Sequence, residues 1–325
     1  MIDNKTPDKS WDQRISCLGG GITQSSSWGF FQKALGCKVY FEYGTNWAYL
    51  ATFRNAKAIN YLLVNYGPNA SGKAALDEAV NSLLAKARNL RVDFVRLEPV
   101  CPVPVGDLLL KYAAKKVTEV DPEHSQIIDL TLDEQQLRAD LHSGHRNLIN
   151  GTKRRGIDVY ISDRKKDLEE FIKMLDDTAK RARIKFYPAS FYRKLLETLG
   201  PVGTAKLYMA RVGEARVAGA IFYDFNGTRY YAHAGAYQQI NREVKASVSL
   251  VWQAIIDAKE AGMKKFDLWG IVPSDKPNHP WAGISKFKKA FGGQQIEYLG
   301  TWDIPINQLK YKAYNLYSKI RARQW

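Results

Sequence analysis

Apolar positions recur along the chain with two periods, two and about 3.6, and the switches between them mark out its elements. The runs CKVYFEY, NWAYLATF and INYLLVNY (37–43, 46–53, 59–66) are rich in β-branched and aromatic residues and read as strands. SGKAALDEAVNSLLAKARNL then shifts to helical spacing. Leu76, Val80, Leu83, Leu84 and Ala87 fall on one face, with Ser71 as the expected N-cap. VDFVRLEP reads as a strand stopped by Pro99, DLLLKYAAKKV as a helix, and SQIIDLTL as a strand. A short helix, WGFFQKALG, precedes all of these and ends at Gly36.

From Thr131 the stretch DEQQLRADLHSGHRNLINGTKRRG reads as helical and basic, ended by Gly156. DVYIS is a strand, DLEEFIKMLDDTAKRARI a helix, and PASFYRKLLETLG a helix with Pro188 in its first turn. AKLYMARV, ARVAGAIFYDF and TRYYAHAGA form a meander whose second turn, Asn226-Gly227, is a strong hairpin signal. The amphipathic helix ASVSLVWQAIIDAKEAG follows, then the strand KKFDLWGI, the helix SKFKKAFGG, the strand IEYLGTWD and a basic, Tyr-rich terminal helix. Each half therefore runs meander, long helix, strand, helix, strand. That order predicts two α+β acyltransferase-like domains, residues 1–130 with 301–325 and residues 131–300, with mixed, largely antiparallel sheets flanked by helices.

Residues 65–76, NYGPNASGKAAL, imitate a phosphate-binding loop, G-x-x-x-x-G-K, between a strand and a helix. Ala74 stands where a hydroxyl would hold Mg²⁺, and the preceding meander is antiparallel where that fold needs parallel strands. A turn followed by a helix cap accounts for the stretch. The second half has the element order of acetyl-CoA-dependent N-acetyltransferases, which hold the CoA pyrophosphate on a Gly-rich loop before the long helix. The corresponding loop here, YQQINREVKAS, has no glycine, which argues against CoA.

Lys and Arg outnumber Asp and Glu by 48 to 33, a net charge of +15. Such an excess points to an anionic partner. The three cysteines are too scattered for a disulfide framework or a zinc site, the N-terminus has no apolar signal-peptide core, and no apolar run is long enough to span a bilayer. The expected location is the cytoplasm, with room for peripheral contact at the inner membrane face. Lys286, Lys288 and Lys289 lie within one helical turn beside Phe287 and Phe291, and spacing alone makes them a solvated basic face. His142 and His145 read as surface polar residues, and His233 as either a core or a pocket histidine.

FDLWGI, KFKKAFGG, IEYLG and the Tyr-rich terminal helix, taken in that order, resemble the Fem family of aminoacyl-tRNA-dependent peptidyltransferases that build peptidoglycan interpeptide bridges. QSSSWGFFQKALG resembles the family's opening motif and VRLEP its Arg-x-(Asp/Glu)-Pro strand, so the resemblance covers nearly the whole chain. It implies two tandem acyl-CoA N-acyltransferase (GNAT)-like domains without the coiled-coil arm of some members. It implies no cofactor, an aminoacyl-tRNA donor, and UDP-MurNAc-pentapeptide or a lipid-linked muropeptide as acceptor. By the same resemblance Lys288 would stabilise an oxyanion, Phe287 would pack the terminal adenosine, and Glu98 would stand where a general base has been placed, with pairing to Arg96 as its alternative. Trp28, Gln32 and Lys33 match the region that holds the muropeptide diphosphate, and Asp267 and Trp269, in the FDLWG strand, are expected to bind substrate. The family's Arg-Pro is here Tyr187-Pro188, with Arg183 or Lys185 as substitutes for the lost cation. Phe191 with Tyr192, and His233, replace acceptor-side tyrosines. A thioester-dependent acyltransferase and a non-catalytic RNA-binding protein are the rival readings.

Overall fold

The computed structural model describes residues 8–56, 58–182, 184–272, 279 and 281–323, and it divides into two compact units, Met1–Glu123 with Tyr298–Trp325, and His124–Glu297. The first unit opens with helices α1 (Lys9–Cys17) and α2 (Ser26–Ala34). Strands β1 (Val39–Tyr43), β2 (Trp47–Ala56) and β3 (Ile59–Val64) form an antiparallel meander, and the short β4 (Asn69–Ala70) pairs with β2. Helix α3 (Lys73–Asn89) packs Leu76, Val80, Leu83, Leu84 and Ala87 in one core with Leu62, Val64, Val95 and Leu97. Each leucine buried there contributes about 1.5–3 kcal/mol. The helix opens at Gly72 rather than Ser71 and has no side-chain cap. Ser71 is still committed to the strand pairing, its N–H donating to the Asn46 carbonyl, so the chain is not free to turn until one residue later.

Strand β5 (Phe94–Leu97) runs parallel to β3, followed by α4 (Gly106–Lys111) and β6 (Lys115–Lys116). The helix expected over 107–117 thus stops early: Ala113 is left-handed (φ 53°), and the next residues pair at the sheet edge instead.

The second unit contains β7 (His124–Asp129), α5 (Glu134–Asp140), α6 (Ser143–Asn150), β8 (Ile157–Ser162), α7 (Lys165–Ala182), α8 (Ala189–Leu199), β9 (Ala205–Val212), β10 (Ala215–Phe225) and β11 (Thr228–Ala236). Helices α5 and α6 divide a stretch expected to be continuous. Leu141 is extended, and His142 caps α6 by accepting from the Gly144 N–H, so His142 is structural. The β10–β11 turn has both Asn226 (φ 48°) and Gly227 (φ 67°) left-handed, as a two-residue hairpin requires. The glycine-free loop forms a short helix, α9 (Gln238–Val244), before α10 (Ala246–Glu260). Then come β12 (Lys265–Gly270), α11 (Ala282–Lys289) and β13 (Gln294–Glu297). The chain returns to the first unit with β14 (Trp302–Pro305) and α12 (Gln308–Arg323).

The two sheets share one plan, with orders β1-β2-β3-β5-β14-β6 and β8-β9-β10-β11-β12-β7-β13. In each, the strand after the long helix joins the meander in parallel (β5 on β3, β12 on β11). That strand is flanked on its other side by an antiparallel strand from a distant part of the chain, β14 beside β5 and β7 beside β12. Hence His124–Asp129, which the expected boundary at 130 assigned to the first domain, is hydrogen-bonded inside the second sheet. IEYLGTWD, expected as one strand, is two strands in two sheets, parted at left-handed Gly300 (φ 81°).

Candidate active site

In the second unit β11 and β12 stay in parallel register only from Thr228–Lys265 to Tyr230–Asp267. Just beyond, the pairing of β12 with β7 shifts between Asp267 and Gly270. Trp269 is left-handed there (φ 59°), a conformation that costs a bulky residue about 1–3 kcal/mol. Asp267 offsets that cost: its Oδ1 accepts the Trp269 N–H at 2.7 Å and the Ser125 hydroxyl from β7. The bulge leaves the Gly270 carbonyl to receive Lys288 Nζ at 2.8 Å. A second tie joins the same elements, Ser285 Oγ accepting from the Val272 N–H at 2.9 Å and donating to the Trp281 carbonyl at 2.7 Å.

Lys288 is only 9% exposed, and its ammonium lies 5.7 Å from the Tyr231 ring centroid. The lysine cluster of α11 is therefore not one solvated face. Lys286 is exposed and Lys289 half-buried, while Ser285 and Lys288, three apart, share the buried side. Burial lowers the Lys288 ammonium to about 8, against the opposing pull of Asp267. Burial raises the Asp267 carboxyl to about 6, against its hydrogen bonds from Ser125 and Trp269 and the Lys288 charge. Phe287 packs edge-on to His145 and Phe291 at 5.4 and 5.3 Å. His145 is half-buried in this aromatic cluster, with Nε2 unpartnered and its imidazole lowered by burial, so it is a packing residue rather than a surface one.

An aromatic wall leads away from the bulge. Trp269 contacts Tyr230 at 5.6 Å and Tyr223 at 6.3 Å, and the Tyr223 hydroxyl lies 3.1 Å from His233 Nε2. His233 meets Tyr192 at 5.2 Å and Phe191 at 5.9 Å, and Tyr187 stacks on Phe191 at 4.0 Å. Burial lowers His233 to about 4, so the wall is uncharged at neutral pH. Lys288, Phe287, Asp267, Trp269, His233, Tyr192, Phe191 and Tyr187 are thus all carried by this unit. Tyr223, Tyr230, Tyr231 and Ser125 also belong to it and were not expected. Counting back from the Asn-Gly turn places Tyr223 opposite Tyr230, but a bulge at Ile221–Phe222 shifts His233 toward Tyr223 and has no sequence signature.

The remaining expected residues lie in the first unit, except Lys185, which is exposed in the second unit, and Arg183, which falls outside the described residues. Glu98 is buried; its oxygens accept from the Tyr66 N–H (3.1 Å), the Asp121 N–H (3.0 Å) and the Thr301 hydroxyl (2.6 Å). Burial and the Glu98 charge hold the neighbouring Asp121 carboxyl well above the usual range. Arg96 does not pair with Glu98. It makes a two-pronged bond to Asp303, both distances 2.7 Å, because β14 sets Asp303 directly opposite it. Trp28 packs on Phe31 at 5.2 Å, Gln32 accepts from Arg54 at 2.8 Å, and the Lys33 ammonium lies 5.9 and 5.7 Å from the Phe30 and Phe41 rings.

A separate cleft of about 780 Å³ in the second unit is lined by Asp177, Lys180, Arg181, Tyr237, Gln238 and Gln239. Its acids are engaged: Asp177 accepts the Gln238 N–H at 3.2 Å, and nearby Glu170 accepts the Tyr237 hydroxyl at 2.8 Å. Among the described residues no cluster of His, Cys, Asp and Glu could hold a metal, and no helix is long and apolar enough to cross a membrane.

The sequence profile of the FemAB family matches residues 111–215 and 204–319. Aminoacyltransferase FemA of Staphylococcus aureus is 28% identical over 102 residues, 31% of this chain and 24% of FemA, so the match spans about a quarter of that relative's length. Among solved structures, the crystal structure of FemX superposes with a TM-score of 0.82 at 15% identity, over 96% of this chain and 98% of its own. L-PGS from Bacillus licheniformis gives 0.59 at 14% identity, over 95% and 94% of the two chains. A tandem GNAT protein from the clavulanic acid biosynthesis pathway gives 0.54 at 11%, over 92% and 97%. The fold is α+β, two tandem GNAT-like units.

Proposed function

The chain belongs to the FemAB family, and from that membership we propose that it is an aminoacyltransferase that moves an amino acid from aminoacyl-tRNA to the stem-peptide amine of a peptidoglycan precursor. The observation that carries this reading is the Lys288 ammonium, nine-tenths buried and docked on a backbone carbonyl where β11 and β12 part. The acceptor nitrogen attacks the ester carbonyl, the carbonyl electrons move onto oxygen, and Lys288 turns from Gly270 to that oxyanion. A donor aimed there lowers a barrier by about 2.7–4 kcal/mol. The C–O bond to the ribose then breaks, the amine's proton goes to the departing ribose oxygen, and an amide remains. The ester is already activated, so the step needs no ATP.

Phe287, held by His145 and Phe291, would flank the terminal adenosine, and the neutral wall from Trp269 through His233 to Tyr187 would receive uncharged parts of the substrates. In the first unit Trp28, Gln32 and Lys33 would meet the acceptor's diphosphate. In the second unit Arg183 or Lys185 would supply the cation absent at Tyr187. Glu98, its oxygens accepting three hydrogen bonds, would act as a structural tie rather than a base. Charged tRNA and its acceptors would meet the enzyme in the cytoplasm or at the inner membrane face.

The test mixes purified protein with total tRNA charged with all amino acids, and offers UDP-muropeptide and lipid-linked muropeptide in parallel. The expected result is a mass gain of one aminoacyl residue on one acceptor, lost when the tRNA is uncharged. An unchanged mass on both acceptors, with the charged ester intact, would overturn the reading.

A further inference from the structure

Asp267 touches the Lys288 site from behind. It is buried beneath the bulge, and one carboxylate oxygen, Oδ1, accepts from both the Trp269 N–H and the Ser125 hydroxyl. The first closes the left-handed turn at Trp269. That turn breaks the β12–β7 register and leaves the Gly270 carbonyl for Lys288. A chain of contacts therefore runs from Ser125 through Asp267, the Trp269 N–H and Gly270 to the ammonium.

The charges around Lys288 are few. Asp267 faces it from β12 and the Tyr231 phenol from β11; its own helix carries the cations Lys286 and Lys289. Helix α6 contributes His145, against Phe287, with its imidazole lowered by burial. Tyr231 is held protonated by burial. Asp267 is thus the negative charge acting on Lys288 among the described residues.

We propose that Asp267 is a positioning residue for Lys288, holding the bulge that presents Gly270 to the ammonium and supplying the charge that keeps Lys288 protonated at neutral pH. This deepens the transferase reading and its kinetic arm rests on it. Asp267 in this role does not contact substrate.

Three substitutions separate geometry from charge. Asp267→Asn keeps an acceptor oxygen of the same reach and loses the charge. Asp267→Glu keeps the charge on a longer arm. Asp267→Ala loses both. The first readout is an NMR titration of isotope-labelled lysine in the whole protein, with the Lys288 signal assigned by its absence in Lys288→Arg. The midpoint of Lys288 should fall by about one pH unit in Asp267→Asn, roughly a tenfold loss of proton affinity. It should stay near the wild-type value in Asp267→Glu. The second readout is the pH profile of transfer. In Asp267→Asn the alkaline limb should move down with the midpoint, while transfer below it stays within about threefold of wild type. In Asp267→Ala kcat should fall about 100-fold with little change in KM, as expected when a catalytic group loses its alignment.

An unmoved Lys288 midpoint in Asp267→Asn, or a midpoint that falls as far in Asp267→Glu, would overturn the charge role. Equal loss of transfer at every pH in Asp267→Asn and Asp267→Ala, driven by KM, would make Asp267 a substrate contact and overturn the positioning role. The titration needs no substrate. If wild-type protein transfers nothing while the midpoint shifts as stated, the transferase reading fails and the charge coupling stands.

Discussion

Lys288 is held in a place that is costly for an ammonium. Its folded value is about 8 against 10.5 in the free side chain, so between those values the unfolded chain keeps a proton that the folded one has released. Stability should therefore rise with pH from about 8 to 10.5. Asp267 behaves oppositely: its folded value of about 6 exceeds the ordinary 3.8, so stability should fall as pH rises between those two. Lys288→Met should cut transfer at least about 100-fold, yet leave the protein as stable as wild type or more so at pH 7 and flatten the alkaline rise. Urea midpoints across pH, read beside transfer rates, check both halves. A mutant that transfers normally would sink the role given to Lys288. The identity of this lysine was legible as part of a KFKK motif. Its burial was not, since Lys286, Lys288 and Lys289 have the same side chain and only packing on β12 separates them.

Two elements that look alike in chain order end in different chemistry. VRLEP and FDLWG both follow a long helix and both lie parallel to the last meander strand. At the end of β5 the acid Glu98 is consumed by Tyr66, Asp121 and Thr301, whereas near the end of β12 the acid Asp267 shapes a bulge that faces a lysine. Glu98→Ala would strand three donors, the buried Thr301 hydroxyl and the half-buried Tyr66 and Asp121 N–H groups, at up to about 1–3 kcal/mol each. The expected result is an unfolding free energy lowered by about 1–3 kcal/mol or more, read from denaturant unfolding, with transfer per folded molecule within about tenfold of wild type. A loss of turnover at unchanged stability would instead restore Glu98 as a base. The meander, the Asn226-Gly227 hairpin and the apolar face of α3 were readable because each is encoded within a few residues. The end of α4 and the break between α5 and α6 were not. There, local helix propensity is overridden by edge pairing with β14 and by the His142 cap.

Across the whole molecule the excess of 15 positive charges suits an RNA-borne donor, and the cleft on α7 offers one place where it is concentrated. Asp177 and Glu170 are committed to Gln238 and Tyr237, while Lys180 and Arg181 stay exposed with no ion pair among the described residues. Replacing both by Ala should weaken binding of uncharged tRNA about tenfold at physiological salt. The slope of log affinity against log salt should become shallower by about 1.5, as for two lost phosphate contacts. Filter binding over a salt series reads both, and an unchanged slope would remove this cleft from the RNA path.

The chain by itself determined the local periods, the turn at Asn226-Gly227, the likeness of its motifs to one family, and the candidacy of Lys288 beside Phe287. These depend on residues within a turn or two of one another. Only the tertiary structure decided which strand completes which sheet, that Arg96 belongs to Asp303, and that Lys288 is buried opposite Asp267. The reason is physical. Strand pairing brings together segments as far apart as Arg96 and Asp303, and the charge a side chain carries is set by what packs around it.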